Sequence, residues 1–433
     1  FILRGYAGTG KTSLVSAVVE VLCSCNNNIV LLAPTGRAAK VLSSYSHHPA
    51  YTIHKYIYMY DIRQMASSEW KMSEARRHLA FNREKNILFV VDEASMLDLY
   101  SGVLDDLISY VYSGEGCRLI LLGDDAQLPP VGSSESPALN AEMIRGYGLN
   151  VTEFVMTEVV RQDNESGILK NATRLRNILR QISDAPFSMS FPKITFGKDV
   201  INVPGAELVD TIAMSYDRVG IEETAIVCRS NKRANLYNQG IRAQILCYEE
   251  ELEGGDILMI AKNNYYWSEL SDKEDQKTPF LANGDIAVVG RARNQRTLYG
   301  FRFADCDLSF PDYDDMDITV TVLLDTLHAD APSLTSEQSE LLYQRVMEDY
   351  YDIPRKQDKL KKLREDPYFN ALQVKYAYAV TCHKAQGGQW NNVFIDQGYV
   401  TEEMLSEDYF RWLYTAFTRA TKRVYLVNWT IHH

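Results

Sequence analysis

The chain has 433 residues, of which 46% are hydrophobic and 24% charged, a soluble globular composition with length for roughly two to four domains. A net charge of -12 and a pI near 5.3 exclude a protein that coats nucleic acid through bulk charge, yet allow a narrow channel with local basic and aromatic groups. No apolar run approaches the ~18 to 20 residues of a membrane span and no charged-then-apolar leader precedes the first motif, so a cytoplasmic location without membrane contact is expected.

Phe1-Ile-Leu-Arg4 reads as the end of a buried strand. It runs into Gly5-Tyr-Ala-Gly8-Thr9-Gly10-Lys11-Thr12, which fits G-x-x-x-x-G-K-[ST] at every specified position. Residues 12–22 then place small and apolar side chains at helical spacing, completing the strand, loop and helix order of a phosphate-binding loop. The glycines let consecutive backbone N–H groups turn inward around phosphates, Lys11 reaches the outer phosphates, and the Thr12 hydroxyl can ligate magnesium. ATP and Mg2+ are therefore the expected cofactors, with Gly5, Gly8, Thr9, Gly10, Lys11, Thr12 and Ser13 as nucleotide-binding residues. The chain starts without methionine almost inside this loop, so upstream sequence, and adenine contacts within it, are expected.

Short apolar runs at 29–33, 87–91, 118–122, 224–228, 393–396 and 424–427 alternate with helical stretches, the pattern of parallel sheets. A long insert splits the last three runs, so two similar lobes are expected: residues 1–150, then 151–243 joined with 371–433. Within the insert, residues 244–370, Gly255-Asp-Ile-Leu-Met-Ile and Gly284-Asp-Ile-Ala-Val-Val each read as a turn leading into an alternating strand, which predicts a small β-barrel. Residues 333–351 have helical periodicity, and the lysine-rich 355–364 is by default a solvated helix face, with a nucleic-acid contact as the alternative. A smaller insert, residues 51–85, carries Tyr56, Tyr58 and Tyr60 in alternation, either one face of a hairpin or part of a helix. Of seven cysteines, Cys117, Cys228 and Cys382 lie in apolar runs and read as reduced core residues, and Cys23-x-Cys25 has no companion pair for zinc. The acidic run from Asp312 to Asp317 lacks the glycine and spacing of a calcium loop and reads as a solvated turn.

Ile87-Leu-Phe-Val-Val-Asp92-Glu93 is an apolar strand ending in two carboxylates, and ligands of open parallel sheets bind at the carboxyl ends of strands. Facing the phosphates, Asp92 would hold magnesium and Glu93 would take a proton from the attacking water. The next strand ends Leu122-Gly-Asp124-Asp125-Ala-Gln127-Leu-Pro-Pro130, where two prolines stiffen the loop and Gln127 can sense the terminal phosphate or orient water.

From Gly5 to about Val427 the chain resembles the superfamily 1 helicases, closest to the B-type group of Dda-like and RecD-like enzymes. Ala33-Pro34-Thr35-Gly-Arg37 and Thr52-Ile-His54 resemble that family's DNA-gripping motifs in the first lobe, and Val380-Thr381-Cys-His383-Lys384-Ala-Gln386-Gly387 its counterpart in the second. Gly123 to Pro130 matches the motif coupling ATP to DNA, Val159-Val-Arg161-Gln162 the segment supplying one arginine to the γ-phosphate, and Tyr414-Thr-Ala-Phe-Thr418-Arg419 the last motif, whose arginine also reaches it. The resemblance implies catalytic roles for Glu93, Gln127, Arg161 and Arg419, nucleotide contacts by Gln386 and Gly387, and DNA contacts by Pro34, Thr35, His54, Thr381, His383 and Lys384. Arginines brought from beyond the first lobe act only when the cleft closes, linking hydrolysis to lobe movement.

The resemblance further implies two RecA-like lobes, an SH3-like barrel in the second lobe, and a strand-separating pin in the place of residues 51–85. The expected activity is a monomeric, ATP-dependent helicase moving 5′ to 3′ on single-stranded DNA, engaging duplex junctions and working with replication or recombination proteins. The competing readings are an ATPase subunit of a recombination or nuclease complex, and a nucleotide-regulated clamp that does not translocate. A clamp has no need of the full set Glu93, Gln127, Arg161 and Arg419.

Overall fold

The computed structural model describes residues 1–25, 28–59, 78–158, 166–184, 189–264, 266–267, 281–313 and 316–430. In chain order the first strands are β1 (Ile2–Gly5), β2 (Ile29–Ala33), β3 (Ala50–Thr52), the short β4 (Tyr58–Met59) and β5 (His78–Leu79), β6 (Leu88–Val91), β7 (Arg118–Gly123) and β8 (Glu153–Met156). Six of them form one sheet in the order β3-β2-β6-β7-β1-β8, with every neighbouring pair parallel. Parallel sheets are covered on both faces, which is why β2 is buried at all five positions and its sequence Ile-Val-Leu-Leu-Ala does not alternate. Leu3, Val15, Val19, Leu31, Leu42, Val90 and Leu122 gather the helices Lys11–Ser24 and Gly36–Ser46 onto this sheet.

A second parallel sheet follows, built from β9 (Val200–Val203) and β10 (Thr224–Cys228) and completed far along the chain. Between them and its remaining strands come β11 (Ile257–Ile260), β12 (Ile286–Leu298), β13 (Phe301–Phe310), β14 (Met316–Leu323) and β15 (Leu372–Tyr376). The last strands are β16 (Ala379–Thr381), β17 (Trp390–Asp396) and β18 (Ala420–Val427), giving the order β16-β10-β17-β18-β9. Both sheets belong to one compact unit, Phe1–Ile57 with Ala80–Tyr237 and Tyr378–His433. The fold is thus two RecA-like parallel-sheet lobes.

The other unit, Tyr58–Leu79 with Asn238–Ala377, holds a closed barrel of β11 to β15 and the antiparallel pair β4 and β5. Antiparallel pairing links β11 to β14 in sequence, and β15 closes the ring, parallel to β14 and antiparallel to β11. The helices Ser336–Glu348 and Lys356–Arg364 connect β14 to β15 and bury Leu342, Val346 and Leu363 against Phe301, Phe303 and Leu323. Leu363 is the inward side of the lysine-rich run, and Lys356, Lys361 and Lys362 are exposed. A buried Arg242–Asp256 ion pair at 2.8 Å fixes the approach to β11, with the guanidinium over the Tyr376 ring at 4.7 Å.

Two strands fall outside the segment boundaries expected from composition. Strand β15 begins at Leu372, beyond residue 370, yet it is a barrel strand, and β8 begins at Glu153, beyond residue 150, yet it edges the first sheet. In both cases long-range pairing, not a change in composition, assigns the strand. In the smaller insert, Tyr56 lies in the helix Ile53–Ile57 and Tyr58 starts β4, so the alternation crosses an element boundary; Tyr60 and most of the expected pin lie outside the described residues. Cys117, Cys228 and Cys382 are buried and unpaired as disulfides. No helix among the described residues is long and apolar enough to cross a membrane.

Candidate nucleotide site and nucleic-acid loops

The phosphate loop leaves β1 with Gly8 and Gly10 at φ of 79° and 86°, left-handed values at which a side chain is strained. Gly5 has no room for one either: a Cβ there would lie 2.8 Å from Lys11 Cγ and Thr9 Oγ1. Thr9, fully buried, closes the turn on the Tyr6 carbonyl, donating from its amide at 3.2 Å and its hydroxyl at 2.8 Å. Lys11 donates to the Gly5 and Tyr6 carbonyls, the second at 3.2 Å. Thr12 is half-buried in the first turn of the helix Lys11–Ser24, and Ser13 beside it is exposed.

Asp92 and Glu93 stand at the carboxyl end of β6. The Asp92 amide donates to Leu32 O at 2.9 Å, and the Glu93 amide donates to Asp92 Oδ1 at 2.8 Å. Glu93 itself has φ 50°, a backbone conformation that costs free energy for a non-glycine residue and clusters at functional sites. Burial pushes both carboxyls above their ordinary range. At Asp92 the Glu93 amide and Lys11 oppose the shift; at Glu93 the main opposition comes from Arg419, then Lys11. A cation of the second lobe therefore acts on a carboxylate of the first.

That cation is 3% exposed. Arg419 donates from Nε to Thr415 O at 3.1 Å, from Nη1 to Gly388 O at 3.3 Å and from Nη2 to Thr418 Oγ1 at 3.1 Å. Among the described residues no carboxylate lies within ion-pair distance of it, so the groups that directly hold this buried positive charge are neutral. Beside β7, Asp124 is also buried, its Oδ1 accepting the Ala126 amide at 3.0 Å, and burial raises its carboxyl. Gln127 is 5% exposed and its Oε1 has no partner among the described residues. Buried acceptors are usually satisfied, so this amide oxygen is suited to accept a hydrogen bond from a water O–H. A polar cavity of about 370 Å³ flanks this loop, lined by Arg4, Ser95, Gln127, Asn140 and Arg411 among others, and none of Gly5 to Thr12 lines it.

The same loop is gripped from the second lobe. The Leu128 amide donates to Thr415 Oγ1 at 2.8 Å, Gln386 Nε2 donates to Leu128 O at 2.7 Å, and Arg411 donates to the carbonyls of Asp125 and Gln127. Gln386 thus sits on the loop carrying Gln127. Gly387, at φ 72°, lies against the first lobe, where a Cβ would be 3.0 Å from Ala38 Cβ and 3.3 Å from Thr35 Oγ1.

Thr35 caps the helix Gly36–Ser46, accepting the Ala38 amide at 3.2 Å, with Pro34 half-buried before it. Arg37 crosses to the second lobe, donating to Gln389 O at 3.1 Å and stacking 4.0 Å over the Trp390 ring. His54 is half-buried in the helix Ile53–Ile57. Thr381 ends β16, and His383 and Lys384, both half-buried, follow in the short helix Cys382–Ala385. Burial lowers the His383 pKa, against Asp408, favouring a neutral ring that still donates a hydrogen bond. Arg161 and Gln162 lie outside the described residues. Sequence reasoning missed Tyr6, Arg37, Trp390, Arg411 and the Tyr414 hydroxyl as interlobe contacts, although Tyr414 stands inside a motif it quoted.

A phosphate loop, a half-buried acidic pair with desolvated carboxyls and an arginine brought from the second lobe define the class: a two-lobed P-loop nucleoside triphosphatase of helicase architecture. Residues 1–181 match the AAA domain family and residues 376–427 the UvrD-like helicase C-terminal domain. The chain is 24% identical to the ATP-dependent DNA helicase dda of Enterobacteria phage T4, over 91% of this chain and 86% of that protein. It is 23% identical to an uncharacterized protein of Acanthamoeba polyphaga mimivirus, over 98% of this chain and 94% of that one. A crystal structure of Pif1 helicase from Bacteroides, in complex with ADP-AlF3 and ssDNA, aligns with TM-score 0.45 and 14% identity over 100% of this chain and 89% of that one. Together these matches support a superfamily 1B helicase of the Dda-like and RecD-like group.

Proposed function

We propose that this chain is an ATP-dependent DNA helicase that translocates 5′ to 3′ on single-stranded DNA, with magnesium as the metal and lobe closure as the coupled motion. The observation that carries the reading is a buried arginine of the second lobe, Arg419, whose charge bears on Glu93 in the first while Gln386, Thr415 and Arg411 hold the Gln127 loop. ATP with magnesium supplies a transferable phosphoryl group and a cation to balance its charge. Lys11 and the amides of Gly8 to Thr12 would bind the phosphates, and Thr12 and Asp92 the metal. Glu93, with its raised pKa, takes the proton of the attacking water, and the Arg419 charge opposes the rise that burial imposes on it. Gln127 offers its unpaired oxygen to orient that water.

Arg161 and Arg419 meet the charge that develops on the phosphoryl oxygens. Gln386 and Gly387 transmit the loop's state to Thr35, and Pro34, Thr35, His54, Thr381, His383 and Lys384 hold DNA phosphates. The protein acts as a cytoplasmic monomer at duplex junctions, alongside replication or recombination proteins. ATPase rates with and without single-stranded DNA, followed by unwinding of duplexes with a 5′ or a 3′ overhang, test this. Stimulation by DNA and unwinding from the 5′ overhang are expected. An unstimulated rate would remove the motor reading, and selective unwinding from a 3′ overhang would overturn the polarity.

A further inference from the structure

Resting on that reading, we infer that Tyr414 is a positioning residue for the phosphate loop, tying its entry to the second lobe so that the loop's order depends on lobe closure. Tyr414 lies on the helix Glu407–Phe417 and is 1% exposed. Its hydroxyl donates to Asp124 Oδ2 at 2.6 Å and accepts the Ala7 amide at 2.9 Å. A phenol has one hydrogen to give, and a carboxylate can only accept it, so the lone pairs left over face the Ala7 N–H. One oxygen thereby joins the phosphate loop, the loop that carries Gln127, and the second lobe.

A separate contact holds the preceding residue. The Tyr6 ring carries the Arg176 guanidinium 4.6 Å from its centre and that of Arg180 at 5.0 Å, and Arg180 Nη2 donates to Tyr6 Oη at 3.3 Å. Both arginines come from the helix Gly167–Asp184, which packs on the helix Glu407–Phe417. Arg176 is 8% exposed, its Nε is unpaired, and no carboxylate among the described residues lies within ion-pair distance of it. Such a buried cation is costly unless the aromatic face offsets it, so the stack is a specific fit and not a surface accident. Tyr6 and Ala7 are unspecified positions of the phosphate-loop pattern, free to serve this second purpose. Opening the lobes removes every one of these partners at once.

Tyr414→Phe keeps the ring and its packing and deletes only the bridge. In nucleotide-free protein, hydrogen exchange at the Ala7 amide should speed up about tenfold or more, with Tm nearly unchanged. DNA-stimulated kcat should fall about tenfold while the KM for ATP moves less than about threefold, because the phosphate-binding amides themselves are intact. Asp124→Asn, which retains Tyr414, should shift Ala7 exchange in the same direction, and the double variant should exchange no faster than Tyr414→Phe alone. Unchanged Ala7 exchange would overturn the inference, as would kcat, KM and Tm worsening together. A wild-type enzyme that DNA does not stimulate would instead overturn the helicase reading, and the exchange measurement would still decide the role of Tyr414.

Discussion

At Glu93 three costs meet in one residue: a left-handed backbone, a buried carboxyl and a neighbouring Asp92. Its folded pKa is raised above the unfolded value, so its stabilising contribution is complete below about 4.3 and is lost as pH rises through the folded value. Glu93→Gln escapes that loss: nucleotide-free Tm should rise by about 2 °C at neutral pH and converge with wild type in mild acid, as thermal melts across pH would show. The same variant should retain ATP and DNA binding and lose about 10³-fold in turnover. Arg419 lowers the Glu93 pKa, so Arg419→Ala should move the acid limb of the residual kcat profile to higher pH. Glu93, Gln127 and Lys11 are legible in sequence because their signatures are local, a few residues at fixed spacing. The Tyr414 bond to Ala7 spans 407 positions, and no window of sequence contains it.

Among the elements, the Gly387 loop shows how closely the two lobes approach. Gly387→Ala adds a methyl at φ 72° into space 3.0 Å from Ala38 Cβ, so both strain and collision oppose it. DNA-stimulated ATPase should fall several-fold more than the unstimulated rate, a comparison readable in one steady-state assay. The barrel depends instead on a buried ion pair. Arg242→Ala removes the counter-charge of the buried Asp256 while leaving its hydrogen bond from the Glu253 amide, and should cost about 3 to 5 kcal/mol in denaturant unfolding, roughly the value for breaking such a pair. The turns before β11 and β12 announce themselves in sequence through glycine and alternation. Strand β15 does not, because two helices separate it from β14 and its partners are set by closure of the ring.

For the whole molecule, a net charge of -12 argues against binding nucleic acid through bulk charge and for a few placed groups. The affinity for single-stranded DNA should therefore fall only modestly with salt, with a log-log slope shallower than about -4, corresponding to about six phosphates. A steeper slope in a fluorescence-anisotropy titration would show wider ionic contact. The two-lobe organisation is legible because each lobe repeats the alternation of buried strands and helices; which strands edge each sheet is not, since that rests on pairing across the chain. Finally, Arg37 of one lobe lies flat on the indole of Trp390 of the other, and the chain has only five tryptophans. Indole emission responds to a guanidinium on its face, so the proposed parting of the lobes would register as a change of brightness, an optical clock that stopped-flow can read without a dye.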